Sequence, residues 1–381
     1  MKRALVICFN DLKIDTRVRR QVGFLKEDFS VTVCCYDANP DASIDIFLIK
    51  KTELTFLRKA VMSFFLLLRM HSISYRLMYD YGKYLPELRK RDFDLIVAND
   101  VETLPFAFKI ATNAKVFFDA HEYAPRQFED RLYWRLFFQR FTTHLCRKYI
   151  PRVSGMSTIN KGLADEYEKN FSITPIIITN ASEYINNTPV YRSEYPIRIV
   201  HHGIFTLSRS PALMIDLMKL LDDRFSLDLV YLVSPGASKS TKEYYEKFKA
   251  EAEATGKIRV LPALKSDEII SFIHIHYDMG LILVPPVNFN YQNGLPNKLF
   301  DCIQARLGMA VGPLREIARI TKENDIGVVS EGYTAQSMAD ALSPLTLERI
   351  NDFKKNSHVA AARLNASYNK TLFLEAINKM Y

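Results

Sequence analysis

The residues best placed to do chemistry lie in the run NGLPNKLFDCIQARLGMAVG, 293–312. Pro296 can open a helix, because its fixed φ suits the first helical position and its missing N–H is not needed there. Leu299, Phe300, Ile303 and Leu307 follow with the spacing of one apolar helix face, and Gly308 should stop that helix before a buried strand at Met309–Val311. Asn297 and Asp301, one turn apart, then share the polar face. Asn293, Gly294 and Leu295 fall in the loop that leads in. A helix N-terminus attracts phosphate through its free N–H groups and its dipole. Lys298 adds a cation, and a carboxylate such as Asp301 can accept two hydroxyl hydrogen bonds, as a ribose diol offers. The predicted chemistry is recognition of a ligand bearing phosphates and hydroxyls. The alternative is one more αβ unit of a layered domain, with Asp301 merely solvated.

Four further constellations stand apart from that run. Lys115–Asp119 reads as a strand that ends DAHEYAP, which puts Asp119, His121 and Glu122 at a strand's carboxyl end, where open α/β sheets bind ligands. A histidine between two carboxylates there is a candidate for proton transfer or for orienting a substrate. The strand Asp94–Ala98 similarly ends in Asn99, Asp100 and Glu102. Near the N-terminus, the first loop and helical turn carry Asp15, Arg17, Arg19 and Arg20, which also read as ordinary solvated charges. The strand Ile197–Val200 runs into His201-His202-Gly203, where a glycine lets backbone approach a phosphate closely. Arg209 falls near the start of a helix expected at 210–222. His201 and His202, adjacent on a strand, point to opposite faces and read as structural. Asp92-Phe93-Asp94 precedes its strand rather than following it and is not read as a metal site.

Taken together, LPNKLFD with the following G-x-x-V-G resembles the nucleotide-sugar signature of the retaining GT-B glycosyltransferases, the group 1 or family 4-like type of bacterial polysaccharide biosynthesis. That signature is ordinarily a pair of glutamates eight residues apart, the second on the ribose and the first near the donor sugar; here the positions hold Asn293 and Asp301. The run Asp119–Glu122 resembles the family's D-x-H-E loop, whose histidine lies by the reacting sugar, and D-x-R-V-x-R-Q resembles the opening of such enzymes. The resemblance implies a two-domain GT-B fold, two Rossmann-like doubly wound parallel sheets facing a cleft. It implies donor binding by Gly203, Arg209, Asn293, Gly294, Leu295, Pro296, Asn297, Lys298 and Asp301. His121, Asp119 and Glu122 would be catalytic, and Asp15, Arg17 and Asp100 would bind the acceptor. The family usually places a second cation directly after the glycine, where this chain has Ile204; Lys298 would supply that charge. The loop Pro262–Leu264 would border the base. The implied activity is hexosyl transfer from a nucleotide-diphosphate sugar, UDP-sugar favoured, to a surface glycan or lipid-linked acceptor, retaining and metal-independent, with no cofactor besides the co-substrate. Two other readings stay open: a sugar-nucleotide epimerase of the same fold, and a non-catalytic glycosyltransferase-like subunit that binds a membrane or a partner.

The elements that must hold these residues follow from pattern. Ala4–Phe9 is a continuous apolar run, as a strand buried on both faces requires. With a helix carrying Val18, Val22 and Leu25 and a strand at Val31–Cys35 it makes a βαβ start that lacks the G-x-G-x-x-G fingerprint. The polar, proline-bearing stretch 183–196 is the best linker. The expected domains are 1–188, 189–360 and a C-terminal helix, 361–381, that family members send back across the first domain. Ser266 is a good helix cap. The 381 residues suit two domains, and 48% hydrophobic with 25% charged residues describes an ordinary soluble globular protein. A formal charge of +8 favours an anionic partner. Two segments are apolar and edged by cations: 54–70, with Arg58, Lys59 and Arg69, and 126–150, where arginines alternate with aromatics around Trp134. Such helices suit an anionic membrane surface or a lipid-diphosphate acceptor, or else the core. No nucleic-acid motif accompanies them. The five cysteines show no C-x-x-C or metal spacing, no run of about 18 apolar residues spans a bilayer, and the short N-terminal apolar run is too brief for a signal peptide. The expected location is the cytoplasm, peripheral on the inner face of the membrane.

Overall fold

The computed structural model describes residues 1–234, 236–265 and 267–381, and of Ser208 the backbone only. The cap expected at Ser266 lies outside the described residues. Contacts divide the chain into two units: Met1–Thr179 with Asn288–Asn290 and Asn369–Tyr381, and Asn180–Val287 with Tyr291–Tyr368.

Unit 1 is built on seven parallel strands: β1 (Lys2–Ile7), β2 (Phe29–Cys35), β3 (Asp45–Leu48), β4 (Leu95–Asn99), β5 (Lys115–Ala120), β6 (Gly155–Thr158) and β7 (Ile176–Ile177), in the order 3-2-1-4-5-6-7. Ala4, Leu5, Val6 and Ile7 of the interior strand β1 are all fully buried, which is why these four positions are apolar, while Lys2 and Arg3 at its start are exposed. The edge strand β3 has no counterpart in the sequence reading; its residues are mostly exposed or half-buried and give little signal. Helix α1 (Thr16–Leu25) is capped by Asp15, whose carboxylate accepts from the Val18 N–H at 3.0 Å. The apolar segment after β3 folds as α2 (Phe56–Leu67) and α3 (His71–Met78), and the arginine-aromatic segment as α4 (Leu132–Phe137) and α5 (Gln139–Tyr149).

Unit 2 has six parallel strands, β8 (Ile197–Ile204), β9 (Phe225–Leu232), β10 (Ile258–Leu261), β11 (Met279–Ile282), β12 (Gly308–Val311) and β13 (Gly327–Val329), ordered 10-9-8-11-12-13. In both sheets the strand order reverses between the first and fourth strands of the unit, which opens a crevice outside their carboxyl ends. The signature helix, α6 (Asn297–Gln304), buries Leu299, Phe300, Cys302 and Ile303 against this sheet, each side chain contributing on the order of 1.5–3 kcal/mol. It sits so close that a Cβ on Gly280 of β11 would lie 2.4 Å from Cys302 Sγ.

Two details of this helix differ from the sequence reading. Pro296 is extended, with ψ of 148°, and stands just before the helix rather than inside it. The helix ends at Gln304, short of Leu307 and Gly308. Arg306 makes the left-handed turn, with φ of 60°, and Gly308 opens β12 instead of stopping the helix. A fully buried arginine tolerates that conformation because its guanidinium donates to the carbonyls of Gln304 at 2.7 Å and Ile185 at 2.6 Å. The residues after Thr179 run along α6: Asn180 Nδ2 donates to the Leu295 carbonyl and the Ile185 N–H to Gln304 Oε1. They therefore belong to unit 2, ahead of the polar linker. At the other terminus, Phe373 packs on Phe24 and Phe117 within unit 1. All five cysteines are buried and unpaired. Among the described residues no helix is long and apolar enough to cross a membrane.

Candidate functional site

In unit 1 the carboxyl ends of β4 and β5 and the start of α1 meet around Asp119, which is almost wholly buried. Arg17 grips it with two bonds, Nε to Oδ2 at 2.8 Å and Nη2 to Oδ1 at 2.6 Å, a fork geometry that only arginine provides. Ser157 Oγ donates to Oδ1 at 2.6 Å and Gln21 Nε2 to Oδ2 at 3.1 Å. Burial alone would raise the Asp119 carboxyl, but the Arg17 guanidinium and the hydrogen bond from His121 hold it far below the usual carboxylate range. His121 completes a relay: its Nε2 lies 3.4 Å from Asp119 and 3.1 Å from Asn99 Oδ1, Asn99 Nδ2 donates to Gln21 Oε1, and Gln21 returns to Asp119. Its other nitrogen faces Asp100 at 3.4 Å. Burial works against a charged imidazole here, yet Asp100 and Asp119 outweigh it and raise His121 to about 9. The ring is thus an imidazolium at neutral pH, suited to donating hydrogen bonds and unsuited to taking a proton. Asp100 occupies φ of 63° and ψ of 154°, a region that favours glycine, and such strain is commonly kept where geometry is functional.

Several expected acceptor and catalytic residues have other employment. Asp15 caps α1, and Arg17 is spent on Asp119 and on the Ile178 carbonyl at 2.8 Å, so neither presents its group to a ligand; both position the site. Asp100 serves His121. Glu122 is exposed, with Gln127 as its hydrogen-bond partner, and stays outside the Asp119 network. Gln21 and Ser157 are the members that sequence reasoning missed, and Asn99 was placed at its strand end without a role. Their polarity at strand and helix positions otherwise buried was the available signal.

In unit 2 the end of β8 faces the start of α6. Gly203 has φ of 135°, and a Cβ there would meet Lys298 Nζ at 3.4 Å and Arg209 Nη1 at 3.8 Å. The glycine therefore leaves open space bounded by two cations. Arg209 sits in a short turn of 3-10 helix, Leu207–Arg209, ahead of the α-helix at Ala212–Leu220 rather than on it. Lys298 is 8% exposed and donates to His201 Nε2 at 3.2 Å, while His201 Nδ1 donates to the Leu281 carbonyl at 2.8 Å. His201 is consequently a neutral, fixed tautomer that positions the lysine, and it joins the site it was expected to stand outside. Burial, then Arg209, pushes the Lys298 ammonium down to about 7. His202 is buried too, and its Nε2 has no hydrogen-bond partner among the described residues; burial and Lys298 lower it to about 3. No side chain caps α6, so its first N–H groups remain available to an anion.

The rest of the signature is arranged around that terminus. Asn297 is exposed at the first helical position, and Leu295 is buried. Asn293 is not in an open loop: it ends a short helix, Phe289–Asn293, and is 2% exposed. Asp301 accepts from Ser182 Oγ at 2.5 Å, a partner from the strand-to-linker segment that pattern reading left unassigned. Among the described residues no group of three or more His, Cys, Asp or Glu side chains is placed to hold a metal ion.

No family model matches the sequence, and a comparison with curated protein sequences gives no match. Solved structures do match over nearly the whole chain. An α,α-trehalose-phosphate synthase (UDP-forming) from Burkholderia vietnamiensis superposes with a TM-score of 0.66 at 11% identity, covering 99% of this chain and 100% of that one. Anabaena Alr3699/HepE, solved with UDP and glucose, gives 0.68 at 11% identity over 99% and 100%. The E. coli trehalose-6-phosphate structure bound with UDP-2-fluoro glucose gives 0.66 at 12% over 98% of each. The chain has the GT-B fold. Within a GT-B chain, the two clusters occupy equivalent places, each at the carboxyl ends of the strands flanking a unit's switch point.

Proposed function

We propose that this GT-B chain is a glycosyltransferase of the hexosyltransferase class, moving a sugar from a nucleotide-diphosphate sugar, UDP-sugar favoured, to a surface glycan or a lipid-linked acceptor, with retention at the anomeric carbon. The observation that carries it is the arrangement of Lys298, Arg209 and the uncapped α6 N-terminus around the space left by Gly203. When the bond from the anomeric carbon to the diphosphate breaks, negative charge collects on the leaving phosphate oxygens. Two fixed cations and a helix N-terminus aimed at that position stabilise it without reorganising. Asp301 takes the ribose hydroxyls, exchanging Ser182 for the ligand. In unit 1 the His121 imidazolium, held by Asp100 and Asp119, lies by the sugar and orients it or binds the acceptor. Structural neighbours solved with UDP and glucose or with UDP-2-fluoro glucose support the choice of donor.

The epimerase alternative needs acid/base carboxylates, for which Asp100, Asp119 and Glu122 are the candidates; Arg17 holds Asp119 ionised, while burial raises Asp100 and Glu122 and leaves those two to carry that reading. The non-catalytic alternative draws on one observation, that Asp301 already has Ser182 as a close partner. Calorimetric titration with UDP and GDP, repeated on Lys298→Met and Asp301→Ala, tests the donor site. The expected result is binding of UDP that weakens at least tenfold in each variant. Slow release of UDP from a UDP-sugar distinguishes an enzyme from a binding subunit, and failure to bind any nucleoside diphosphate would overturn the proposal.

A further inference from the structure

Unit 1 holds a second cluster of cations, none of which belongs to the Asp119 and His121 network. It lines a cavity of about 640 Å³. Helix α5 contributes Arg140, His144 and Arg147, which the helical period brings to one face. Arg69, just beyond the end of α2, and His71, the first residue of α3, line the cavity from α2 and α3, and Arg126 comes from the turn after β5. Arg126 is already neutralised by Glu129, at 2.5 and 2.9 Å. Arg69, Arg140 and Arg147 have no carboxylate partner among the described residues, and Glu166 is the one carboxylate in the lining. The cavity therefore carries a net positive charge that repels itself in the free protein. Between the arginines the His71 and His144 rings lie 4.5 Å apart, and the buried Nδ1 of His71 has no hydrogen-bond partner among the described residues. Burial, aided by His144 and Arg69 for the first ring and by Lys148 for the second, keeps both imidazoles below their ordinary value, so they are neutral hydrogen-bonding groups beside guanidinium forks. Arginine forks with neutral donors are the chemistry that binds phosphate oxygens.

The surface leading to this cavity is apolar. On α2, Phe56, Leu57, Phe64 and Leu67 are exposed, Phe56 by 88%; on α4, Leu132 and Leu136 are exposed by 62% and 56%. The two helices touch, with Ser63 Oγ 3.4 Å from the Tyr133 hydroxyl. Arg69 stands between exposed Leu68 and Met70, and α4 runs straight into α5. Lys59, Arg131 and Arg135 are exposed along the same helices. The apolar helices edged by cations expected from sequence are thus divided between surface and core: these residues are exposed, while Met62, Leu66, Trp134, Phe141 and Leu145 of the same segments are buried.

We propose that this cavity binds the phosphate-bearing headgroup of an anionic membrane lipid, with α2 and α4 lying in the lipid interface. Apolar side chains enter the acyl boundary while the arginines meet the phosphate at headgroup depth, the division of labour of a monotopic surface. The inference does not depend on the transferase reading, because it is read without nucleotide.

The test is co-sedimentation of the full chain with phosphatidylcholine vesicles, plain or doped with phosphatidic acid or with phosphatidylserine. Phosphatidic acid presents a terminal phosphate, whereas phosphatidylserine presents charge without one. Binding is expected in the order phosphatidic acid, phosphatidylserine, plain vesicles. Arg140→Gln with Arg147→Gln should weaken binding to phosphatidic acid vesicles about 30-fold, at roughly 1 kcal/mol per surface arginine, and abolish the preference over phosphatidylserine. Leu67→Ser with Leu136→Ser should weaken binding to every vesicle while leaving binding of inorganic pyrophosphate intact. All four side chains are exposed, so these variants keep the core. Equal binding to the two anionic vesicles would reduce the surface to plain charge attraction and overturn the headgroup site. Pyrophosphate binding that is lost in Arg140→Gln with Arg147→Gln, without any vesicle binding by the wild type, would assign the cavity to a soluble phosphate ligand and overturn the membrane assignment.

Discussion

The buried lysine of unit 2 makes the donor site testable by pH. Lys298 titrates near 7 in the free chain, because burial and Arg209 disfavour its charge. A diphosphate seated between Lys298 and Arg209 would restore that charge and hold it to well above pH 9. Only the protonated form then binds tightly. Half of the free chains carry the proton at pH 7 and about one in a hundred at pH 9, so the dissociation constant for UDP should rise about 50-fold across that window. At pH 8 binding should take up about 0.9 proton per UDP, measured by calorimetry in buffers of different ionisation enthalpy. The terminal phosphate, with a pKa of about 6, is already ionised throughout and adds little. His121, raised to about 9, titrates at the top of the window but lies in unit 1. The control is therefore Lys298→Met, which should bind UDP some ten- to hundredfold more weakly at pH 7 and lose both the pH slope and the proton uptake. A wild-type affinity that is flat from pH 7 to 9, or a slope that survives Lys298→Met, would refute the assignment of this lysine to the phosphates.

Three other outcomes follow from named contacts. The His121 imidazole is raised from 6.5 to about 9, so the folded state holds its proton more tightly than the unfolded one; the stability this gives is full below pH 6.5 and is lost as pH rises through 9. Urea unfolding of the wild type and His121→Asn should therefore differ by up to roughly 3 kcal/mol at pH 6 and converge above pH 9. Arg17→Ala should leave Asp119 buried without its cation and cost about 3–5 kcal/mol in the same assay, more than any exposed arginine such as Arg19. In unit 2, Lys354 and Asp278 are 1% and 0% exposed and pair at 2.8 Å. Lys354→Met alone should cost about 3 kcal/mol because Asp278 keeps only Arg192 as a side-chain partner, and pairing it with Asp278→Leu should recover part of that loss.

Much of the molecule was legible in the sequence, for physical reasons that differ from place to place. The apolar run Ala4–Phe9 and the spacing of Leu299, Phe300 and Ile303 announce a doubly buried strand and a one-faced helix, because burial acts on side chains in register with backbone period. A glycine near the end of β8 and a polar turn before α6 announce a place where backbone can meet phosphate. Side-chain employment was not legible. Arg17 looks like any early-helix cation until β5 delivers Asp119 from 102 residues away and claims both of its terminal bonds. His201 looks structural until Lys298, 97 residues on, needs an acceptor. Ser182 meets Asp301 across 119 residues. Gly308 was the reasonable helix stop from local preference, yet the carbonyls of Gln304 and Ile185 hold the guanidinium of Arg306, which makes the left-handed turn instead. The sequence by itself determined the buried strands, though not the exposed edge strand β3, together with the signature helix and the polar residues at strand ends, since these follow from near neighbours along the chain. Only the tertiary structure decided which charges pair, which are buried and what pKa each then takes, because those depend on groups brought together from distant parts of it.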